Sequence, residues 1–315
     1  MYLRTTTDVK TDIKYCTMET TTRTFKSWLI ATRPWSFPAS AMPVLVACAY
    51  LYWLGEPVNW LLGLWTLINV VLFHAAGNTW SDYNDYKKGV DREDTIGGTS
   101  IVSGEFKAHE IKVLSLALLA VAVVSGICLM LCVGLPLLYF GIAGALLSLG
   151  YPWLKYHALG DVDIFLTYSV LPILGTSFVV VGHINCSVAW LMLPIGLITV
   201  GILHINNTRD IEQDRRAGIR TLAMLLGKRM SAYVYVAEML LPFVLVLVSA
   251  LCGAMPWWSL AVCLVLVPAI GNCRAALRFP AEGMDAVAGI DEKTAQLQLM
   301  FSLLLTVSLV LTTLL

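Results

Sequence analysis

Residues 111–133 read IKVLSLALLAVAVVSGICLMLCV, a run of 23 residues in which Lys112 is the only charged side chain. An apolar run of about 20 residues is long enough to cross the hydrocarbon core of a bilayer as an α-helix. Eight other runs have a similar character, so the sequence predicts nine membrane-spanning helices. The approximate ranges of the other eight are 37–55, 58–77, 134–150, 162–182, 188–206, 232–251, 256–271 and 295–315.

The composition of the whole chain agrees with this prediction. Of its 315 residues, 58% are hydrophobic and 13% are charged, and the mean hydropathy is +0.75. A soluble protein carries roughly a quarter of charged residues. The expected fold class is therefore an all-α polytopic membrane protein, with a polar N-terminal tail at 1–26 and one integral membrane domain at 27–315.

The distribution of positive charge predicts the orientation of these helices. All 21 Lys and Arg residues lie in or beside segments that the nine-helix arrangement places on one side. Among acidic and basic residues, the loops of the opposite side contain only Glu56 and His183. Lys and Arg favour cytoplasmic loops, so the N-terminus is expected inside and the C-terminus outside. The positively charged segments are the tail, 78–110, 151–161, 207–231 and 272–294.

Several functional classes are disfavoured. The basic residues are too sparse and too close to membrane segments for nucleic acid, so no nucleic-acid partner is expected. The eight cysteines include no C-x-x-C pair, which favours a role as small apolar core residues. The tail lacks an apolar core followed by a small-residue cleavage site, so no signal peptide is predicted. A short interfacial helix is expected near Thr24–Thr32.

Two polar clusters stand where apolar runs end, and each combines Asn with Asp at helical spacing. Ionised carboxylates beside hydrocarbon are costly and mark functional sites. Two copies with the same kind of spacing are not typical of ordinary solvated loops. The first cluster consists of Asn78, Asp82, Asp85 and Asp91, and the second of Asn207, Asp210 and Asp214.

The residue types in and around the clusters indicate their chemistry. Mg²⁺ prefers oxygen ligands and is commonly held by one or two carboxylates together with phosphate oxygens. Guanidinium groups bind phosphate through paired hydrogen bonds, and several Arg and Lys residues flank both clusters. A diphosphate at a membrane edge implies a hydrocarbon tail, so the expected substrate is an isoprenyl diphosphate. Loss of diphosphate would leave a carbocation for an aromatic ring to attack.

The two polar clusters resemble those of a known family. The spacing Asn78-x-x-x-Asp82-x-x-Asp85-x-x-x-Gly89-x-Asp91, paired with Asn207-x-x-Asp210-x-x-x-Asp214, is similar to the UbiA superfamily of intramembrane aromatic prenyltransferases. Trp28-Leu-Ile-Ala-Thr-Arg33-Pro34 and Tyr151-Pro-Trp-Leu-Lys155 resemble further elements of that family. The stretch 206–223 is closest to the branch that prenylates 1,4-dihydroxy-2-naphthoate, as are 85–91 and 294–301.

The resemblance implies a fold and a set of roles. The nine helices would surround a central cavity, open to the cytoplasmic side and laterally to lipid, and activity would require Mg²⁺. Departures from the naphthoate branch are Ser81, where Asn is usual, and Arg220, where Lys is usual. The metal ligands would be Asp82, Asp85, Asp91, Asp210 and Asp214, and the other binding residues Asn78, Asn207, Lys155, Arg209, Tyr151 and Arg220.

The function expected from this resemblance is polyprenyl transfer to 1,4-dihydroxy-2-naphthoate in menaquinone biosynthesis, in a bacterial cytoplasmic (inner) membrane. Alternative small aromatic acceptors are 4-hydroxybenzoate, homogentisate and a chlorin or haem ring. An alternative of a different class is a membrane transporter that binds cations at the carboxylates. His74 and His204, each about one turn before a cluster, are expected to be hydrogen-bonded core residues. The stretch 97–105 is either a flexible linker or a lid.

Overall fold

The computed structural model describes residues 23–92 and 99–315, and the regular structure in these ranges is helical. The predicted tail lies almost entirely outside the described residues, as does the beginning of the stretch 97–105. A short helix, α1 (Phe25–Ala31), begins where the sequence predicts one, and the Thr24 side chain caps it by accepting the Ser27 N–H. The capping fixes the start of a helix too short to be stable alone.

Among the described residues, nine helical segments are long and apolar enough to cross a membrane, which confirms the predicted fold class. They contain ten of eleven further α-helices, α2 to α12, joined in places by short 3₁₀ or π turns, and the remaining helix, α9, lies between two of these segments. The α-helices are α2 (Pro38–Trp53), α3 (Trp60–Lys88), α4 (Ala108–Val133), α5 (Pro136–Tyr156), α6 (Gly160–Phe165), α7 (Leu171–Val181), α8 (Ala189–Arg209), α9 (Ile211–Ala217), α10 (Leu222–Leu251), α11 (Leu266–Glu282) and α12 (Ile290–Leu314).

Several helices continue beyond the predicted apolar runs. The second run was predicted to end at residue 77, but α3 continues to Lys88 and ends at Gly89, whose φ of 75° is left-handed. The seventh was predicted to begin at residue 232, but helical structure in α10 begins at Leu222 and is interrupted by a break at Gly227, where φ is 73° and ψ is 163°. Polar residues continue these helices because an α-helix satisfies its own backbone hydrogen bonds, whatever the side chains are. Asn78, Asp82 and Asp85 of the first polar cluster therefore lie on a helix, and Asp91 follows its end.

The core is formed by α2, α8, α10 and α12, with large side chains such as Tyr50, Ile198 and Phe301 fully buried. By contrast, few side chains of α4 and α5 are buried, and large apolar ones such as Leu131 and Leu146 are exposed. Exposed apolar surface of this extent is expected where a helix faces lipid. Small residues allow close helix packing in membranes, as at Gly196 of α8, which lies directly against an aromatic ring of α6.

Candidate active site

The last turns of α3 carry the first cluster. Asn78, Ser81 and Asp85 lie at i, i+3 and i+7, and therefore on one face of the helix. After Gly89 the chain turns back, and the backbone N–H groups of Val90 and Asp91 donate to the Asp85 carbonyl oxygen at 2.9 and 3.3 Å. This turn brings Asp91 to the same side as the helix face.

The second cluster spans the break between α8 and α9. The Asp210 N–H donates to the Asn206 carbonyl oxygen, and the Asp214 N–H donates to that of Asp210, both at 2.9 Å. Helical hydrogen bonding thus continues through the break, and keeps Asn207, Asp210 and Asp214 on one side. α9 ends at Gly218, whose φ of 70° allows the chain to reverse.

The two clusters face each other across a cavity of about 530 Å³. From the first cluster Asn78, Asp85 and Asp91 line it, and from the second Asn207, Asp210 and Asp214. The lining contains seven carboxylates and three basic side chains. This surplus of negative charge needs cations for neutralisation. The remaining carboxylates are Asp163, Asp291 and Glu292, and the basic residues are Arg33, Lys155 and Arg209.

Asp85 is the centre of the hydrogen bonding on the first side. Its carboxylate accepts hydrogen bonds from Lys155 Nζ at 2.9 Å, from the Tyr156 hydroxyl at 2.8 Å and from the Ser81 hydroxyl at 3.2 Å. Lys155 and Tyr156 belong to the end of α5, so the pairing joins α3 to α5. The predicted phosphate-binding residue Lys155 is thereby held at the wall of the cavity.

Arg209 has an equivalent place on the second side. Its guanidinium donates to both carboxylate oxygens of Asp210, at 2.8 and 2.9 Å, and to Asp291 at 3.2 Å. Asp291 lies at the start of α12, so Arg209 joins the α8–α9 break to that helix. A paired geometry of this kind fixes the orientation of the guanidinium plane.

Two carboxyl groups outside the membrane-spanning segments titrate unusually. Burial raises the pKa of Asp91 to about 6, with a further contribution from the Asp85 carboxylate, while Lys155 acts in the opposite direction. Burial likewise raises the pKa of Asp214 to about 7; Lys155 lowers it, and Asp210 and Asp85 raise it. Each of the two carries a buried oxygen, Oδ2, without a hydrogen-bond partner. Such oxygens are suited to accept a proton or a metal ion.

The family follows from residues 40–283, which match the sequence profile of the UbiA prenyltransferase family. The chain belongs to this family. It is 33% identical to UbiA prenyltransferase domain-containing protein 1 of Danio rerio over 88% of this chain and 82% of that protein. The protein of the same name in Homo sapiens is 31% identical over 88% of this chain and 81% of that protein. The predicted superfamily and the predicted enzyme class, a prenyltransferase, are thereby confirmed.

Solved structures agree on the fold. A UbiA homologue from Archaeoglobus fulgidus bound to GPP and Mg²⁺ superposes with a TM-score of 0.65 at 13% identity, over 90% of this chain and 99% of that one. A digeranylgeranylglyceryl phosphate synthase superposes with a TM-score of 0.61 at 19% identity, over 90% and 98%. These similarities are to the fold of UbiA proteins, and they confirm the all-helical membrane architecture.

Asp82, a predicted metal ligand, does not lie where the sequence led us to expect. Asp82 is buried but is not among the residues that line the cavity; it forms an ion pair with Arg33. Ser81, expected only as a departure from the family pattern, lines the cavity instead. The reason is that the face shared by Asn78, Ser81 and Asp85 points into the cavity, and the Asp82 side chain projects to one side of that face.

Arg220 was predicted to contact diphosphate, but its side chain is exposed and it is not among the lining residues. Its backbone N–H donates to the Tyr156 carbonyl oxygen at 3.0 Å, and its carbonyl oxygen accepts from the Ala158 N–H at 2.7 Å. The segment after α9 thus closes against the end of α5 through its backbone. Tyr151, which the resemblance implies as a binding residue, lines the cavity.

Arg33 is a lining residue that the predicted site omits. It precedes Pro34 in a left-handed conformation, with φ 57° and ψ 59°, which is unfavourable for a residue with a Cβ. Burial alone would lower the pKa of Arg33, but the carboxylates of Asp82, Asp91 and Asp85 raise it overall. The guanidinium is therefore a fixed positive charge. Arg33 could have been predicted as a site residue, because it lies within the stretch Trp28–Pro34 that resembles the family.

Three lining carboxylates also escaped prediction from the sequence. Asp163 lies on α6, and Asp291 and Glu292 lie in the first turn of α12. Each stands far along the chain from both clusters and belongs to no repeated spacing. Only the packing of α6 and α12 against α8 brings them to the cavity.

A second cavity, of about 300 Å³ and lined mainly by apolar side chains, adjoins the first. It lies among residues of α3, α4, α5 and α7, and four residues line both cavities: His74, Ser148, Thr167 and Tyr168. His74 is a hydrogen-bonded core residue, as predicted, since its ring nitrogens lie 3.2 Å from the Ser36 hydroxyl and 3.0 Å from that of Ser40. The polar and apolar cavities together can take an amphiphile with a charged head.

Proposed function

We propose that this protein transfers a polyprenyl group from an isoprenyl diphosphate to an aromatic acceptor in the cavity between the two clusters. The observation that carries the proposal is the junction at His74 and Tyr168, where a carboxylate-lined cavity meets an apolar one. A diphosphate fits the first, and its hydrocarbon tail fits the second. Neither cavity alone would indicate a prenyl diphosphate.

The residues of the polar cavity suit Mg²⁺. Seven carboxylates against three basic side chains leave room for divalent cations, and oxygen ligands are those that Mg²⁺ prefers. The A. fulgidus homologue is described as bound to GPP and Mg²⁺. In this chain the ions would be held by Asp85, Asp91, Asp210 and Asp214, with Asn78 and Asn207 beside them. Bound Mg²⁺ would supply positive charge that stabilises the departing diphosphate.

The basic residues would complete the neutralisation of the diphosphate. Lys155 and Arg209 stand on opposite sides of the cavity, and Arg33 is held by Asp82. In the reaction the bond between the allylic carbon and the diphosphate oxygen breaks, and its electron pair leaves with the diphosphate. An aromatic carbon of the acceptor then forms the new carbon–carbon bond. Tyr151 and Tyr168 would stabilise the intermediate cation through their ring faces.

The acceptor that we propose is 1,4-dihydroxy-2-naphthoate. The support is the likeness of the stretch 206–223 to the naphthoate branch, together with the electron-rich character of a dihydroxylated ring. Attack at the carbon that bears the carboxylate would release CO₂ and restore aromaticity. The alternative acceptor, 4-hydroxybenzoate, has one ring and would lose a proton instead. The names of the relatives reported above specify no acceptor.

The end of the helices that carries both clusters is proposed to face the cytoplasm, because Lys and Arg concentrate there. The relatives reported above are animal proteins. The proposal therefore retains the orientation and not the bacterial inner membrane that the sequence led us to expect. Accessibility of a cysteine introduced at exposed Arg216, measured with an impermeant reagent in sealed vesicles, tests this orientation.

The test of the function is product formation by the purified protein. The protein is incubated with Mg²⁺, geranylgeranyl diphosphate and one acceptor at a time, and the product is identified by its mass. Asp85→Asn should lower turnover by a factor of about 10² or more, since it removes a proposed ligand and the partner of Lys155. The exposed Asp285→Asn is the matched control and should keep wild-type turnover. Equal turnover in both variants would contradict the proposal.

A further inference from the structure

A second group of ionisable side chains lies outside both cavities, where α6, α8 and α10 meet. His204 of α8 is 0% exposed, and Asp161 of α6 and Glu238 of α10 are each 6% exposed. His204 Nδ1 lies 2.8 Å from Asp161 Oδ2 and 3.8 Å from Glu238 Oε1. The proposed reaction uses none of the three, so their burial needs a separate explanation.

The hydrogen bonds around His204 determine its protonation. The Thr208 hydroxyl donates to the His204 carbonyl oxygen at 2.7 Å, so its oxygen is left to accept from the Ser231 hydroxyl, 2.5 Å away. The Ser231 hydroxyl oxygen, 3.0 Å from His204 Nε2, must then accept from that nitrogen, and the Ser231 carbonyl oxygen at 3.2 Å can only accept. Nδ1 lies 2.8 Å from Asp161 Oδ2, and an ionised carboxylate can only accept, so Nδ1 is the donor. An imidazole that donates at both nitrogens is the imidazolium.

A cation at this place answers an electrostatic need. Asp161 Oδ1 and Glu238 Oε2 are buried oxygens without a hydrogen-bond partner. Two carboxylates buried between helices are costly unless a positive charge lies between them. The helices are held close here, because a Cβ at Gly201 would collide with Met239 and lie 3.5 Å from Glu238 Oε2. The imidazolium therefore ties α6 to two helices, α8 and α10, that pack closely at this point.

The position of this group relates it to the cavity. His204 precedes Asn207 by three residues on α8, and Asp161 precedes Asp163, another lining residue, by two on α6. We propose that His204, held as an imidazolium between Asp161 and Glu238, is a positioning residue. It fixes the rotation of α8 so that Asn207 and Asp210 face the cavity, and so sets how tightly the second cluster holds Mg²⁺ with diphosphate. This inference rests on the function proposed above.

The experiment compares His204→Gln, Asp161→Asn and the double variant. Turnover is measured as a function of Mg²⁺ concentration. The thermal unfolding midpoint is measured in the presence of Mg²⁺ and inorganic pyrophosphate, and this second measurement needs no aromatic acceptor. Each single variant should require about 10-fold more Mg²⁺ for half-maximal turnover, while kcat at saturating Mg²⁺ changes little. The double variant should be no worse than the more affected single variant, because both changes break one contact.

Tyr235→Phe is the matched control, since it removes a buried hydrogen bond of 2.6 Å from α10 to Thr294 and should leave the Mg²⁺ midpoint unchanged. Glu238→Gln keeps the packing and removes one charge. It should raise the Mg²⁺ concentration for half-maximal turnover less than His204→Gln does. Unchanged midpoints in the His204, Asp161 and Glu238 variants overturn the inference, as does a tightly bound transition metal that His204→Gln loses.

The pyrophosphate measurement separates the two proposals. If wild-type protein is stabilised by Mg²⁺ and pyrophosphate but transfers no prenyl group, the proposed function fails. The role of His204 is then still decided by the stabilisation that remains in His204→Gln. A stabilisation equal to that of wild type overturns the positioning role, and a reduced one supports it.

Discussion

Replacement of Lys155 by Met tests the site most directly, because Lys155 has two different tasks. Its Nζ lies 2.9 Å from Asp85 Oδ2, and both side chains are largely buried. At an effective dielectric constant of about 20, two unit charges at that distance attract by about 6 kcal/mol. Desolvation offsets part of this, and breaking a buried pair costs about 3–5 kcal/mol. We expect Lys155→Met to lower the free energy of unfolding by an amount within that range when Mg²⁺ is absent.

Mg²⁺ should restore part of the lost stability, since a cation at Asp85 replaces the missing ammonium group. Turnover should nevertheless fall by about 10²–10³ at saturating Mg²⁺, because one donor to the departing diphosphate is gone. The assays are thermal unfolding with and without Mg²⁺, and kcat/KM for the prenyl diphosphate. Lys228→Met, which breaks an exposed pair of 3.4 Å to Glu212, is the control and should change stability by under about 1 kcal/mol. A kcat/KM for Lys155→Met within twofold of wild type refutes the reasoning.

Four further predictions concern pH, packing and the apolar cavity. Burial raises the pKa values of Asp91 and Asp214 to about 6 and about 7. Protons therefore compete with Mg²⁺ for these carboxylates, and the Mg²⁺ concentration for half-maximal turnover should rise as the pH falls from about 8 to about 6. Equal Mg²⁺ concentrations for half-maximal turnover at pH 6 and 8 would contradict this. The same raised values mean that the folded protein binds more protons than the unfolded chain, so without metal its stability should fall as the pH rises from about 4 to 7, and Mg²⁺ should remove this loss. Gly196→Ala should lower the free energy of unfolding by about 1–3 kcal/mol through collision with a ring of α6, whereas Gly271→Ala, which meets nothing within 4 Å, should not; calorimetry distinguishes them. Gly144→Leu places a side chain in the apolar cavity and should reduce kcat/KM for geranylgeranyl diphosphate more than for geranyl diphosphate; equal losses would show that the tail lies elsewhere.

The fold could be predicted from the sequence because hydrocarbon imposes a simple rule on length and polarity. The run at 111–133 became the membrane-spanning part of α4 (Ala108–Val133) with little adjustment. The same rule failed at helix ends such as Lys88, since polar side chains do not prevent an α-helix from continuing. It also could not tell a helix from a helix with a break, as at the α8–α9 junction.

The candidate site was predictable where residues share a local spacing, and not where packing assembles it. Both clusters line one cavity as expected, but spacing alone could not choose between Ser81 and Asp82. The rotation of α3 decides this, and it depends on Arg33 and on the neighbouring helices. Asp291 belongs to the last helix, and only the packing of α12 shows that it pairs with Arg209 at the cavity.

The ion pair of Arg33 with Asp82 has a consequence for biosynthesis. Arg33 immediately precedes the first membrane segment and Asp82 lies in the second, so both are present as soon as α3 has left the ribosome. Asp85 must wait for Lys155, 70 residues later, whereas Arg209 has Asp210 beside it at once and gains Asp291 82 residues later. A nascent chain can therefore neutralise the most deeply buried carboxylate of α3 early, while Asp85 stays without its ammonium partner until α5 arrives. Chains stalled before α5 should be recognised by quality control through Asp85 rather than through Asp82.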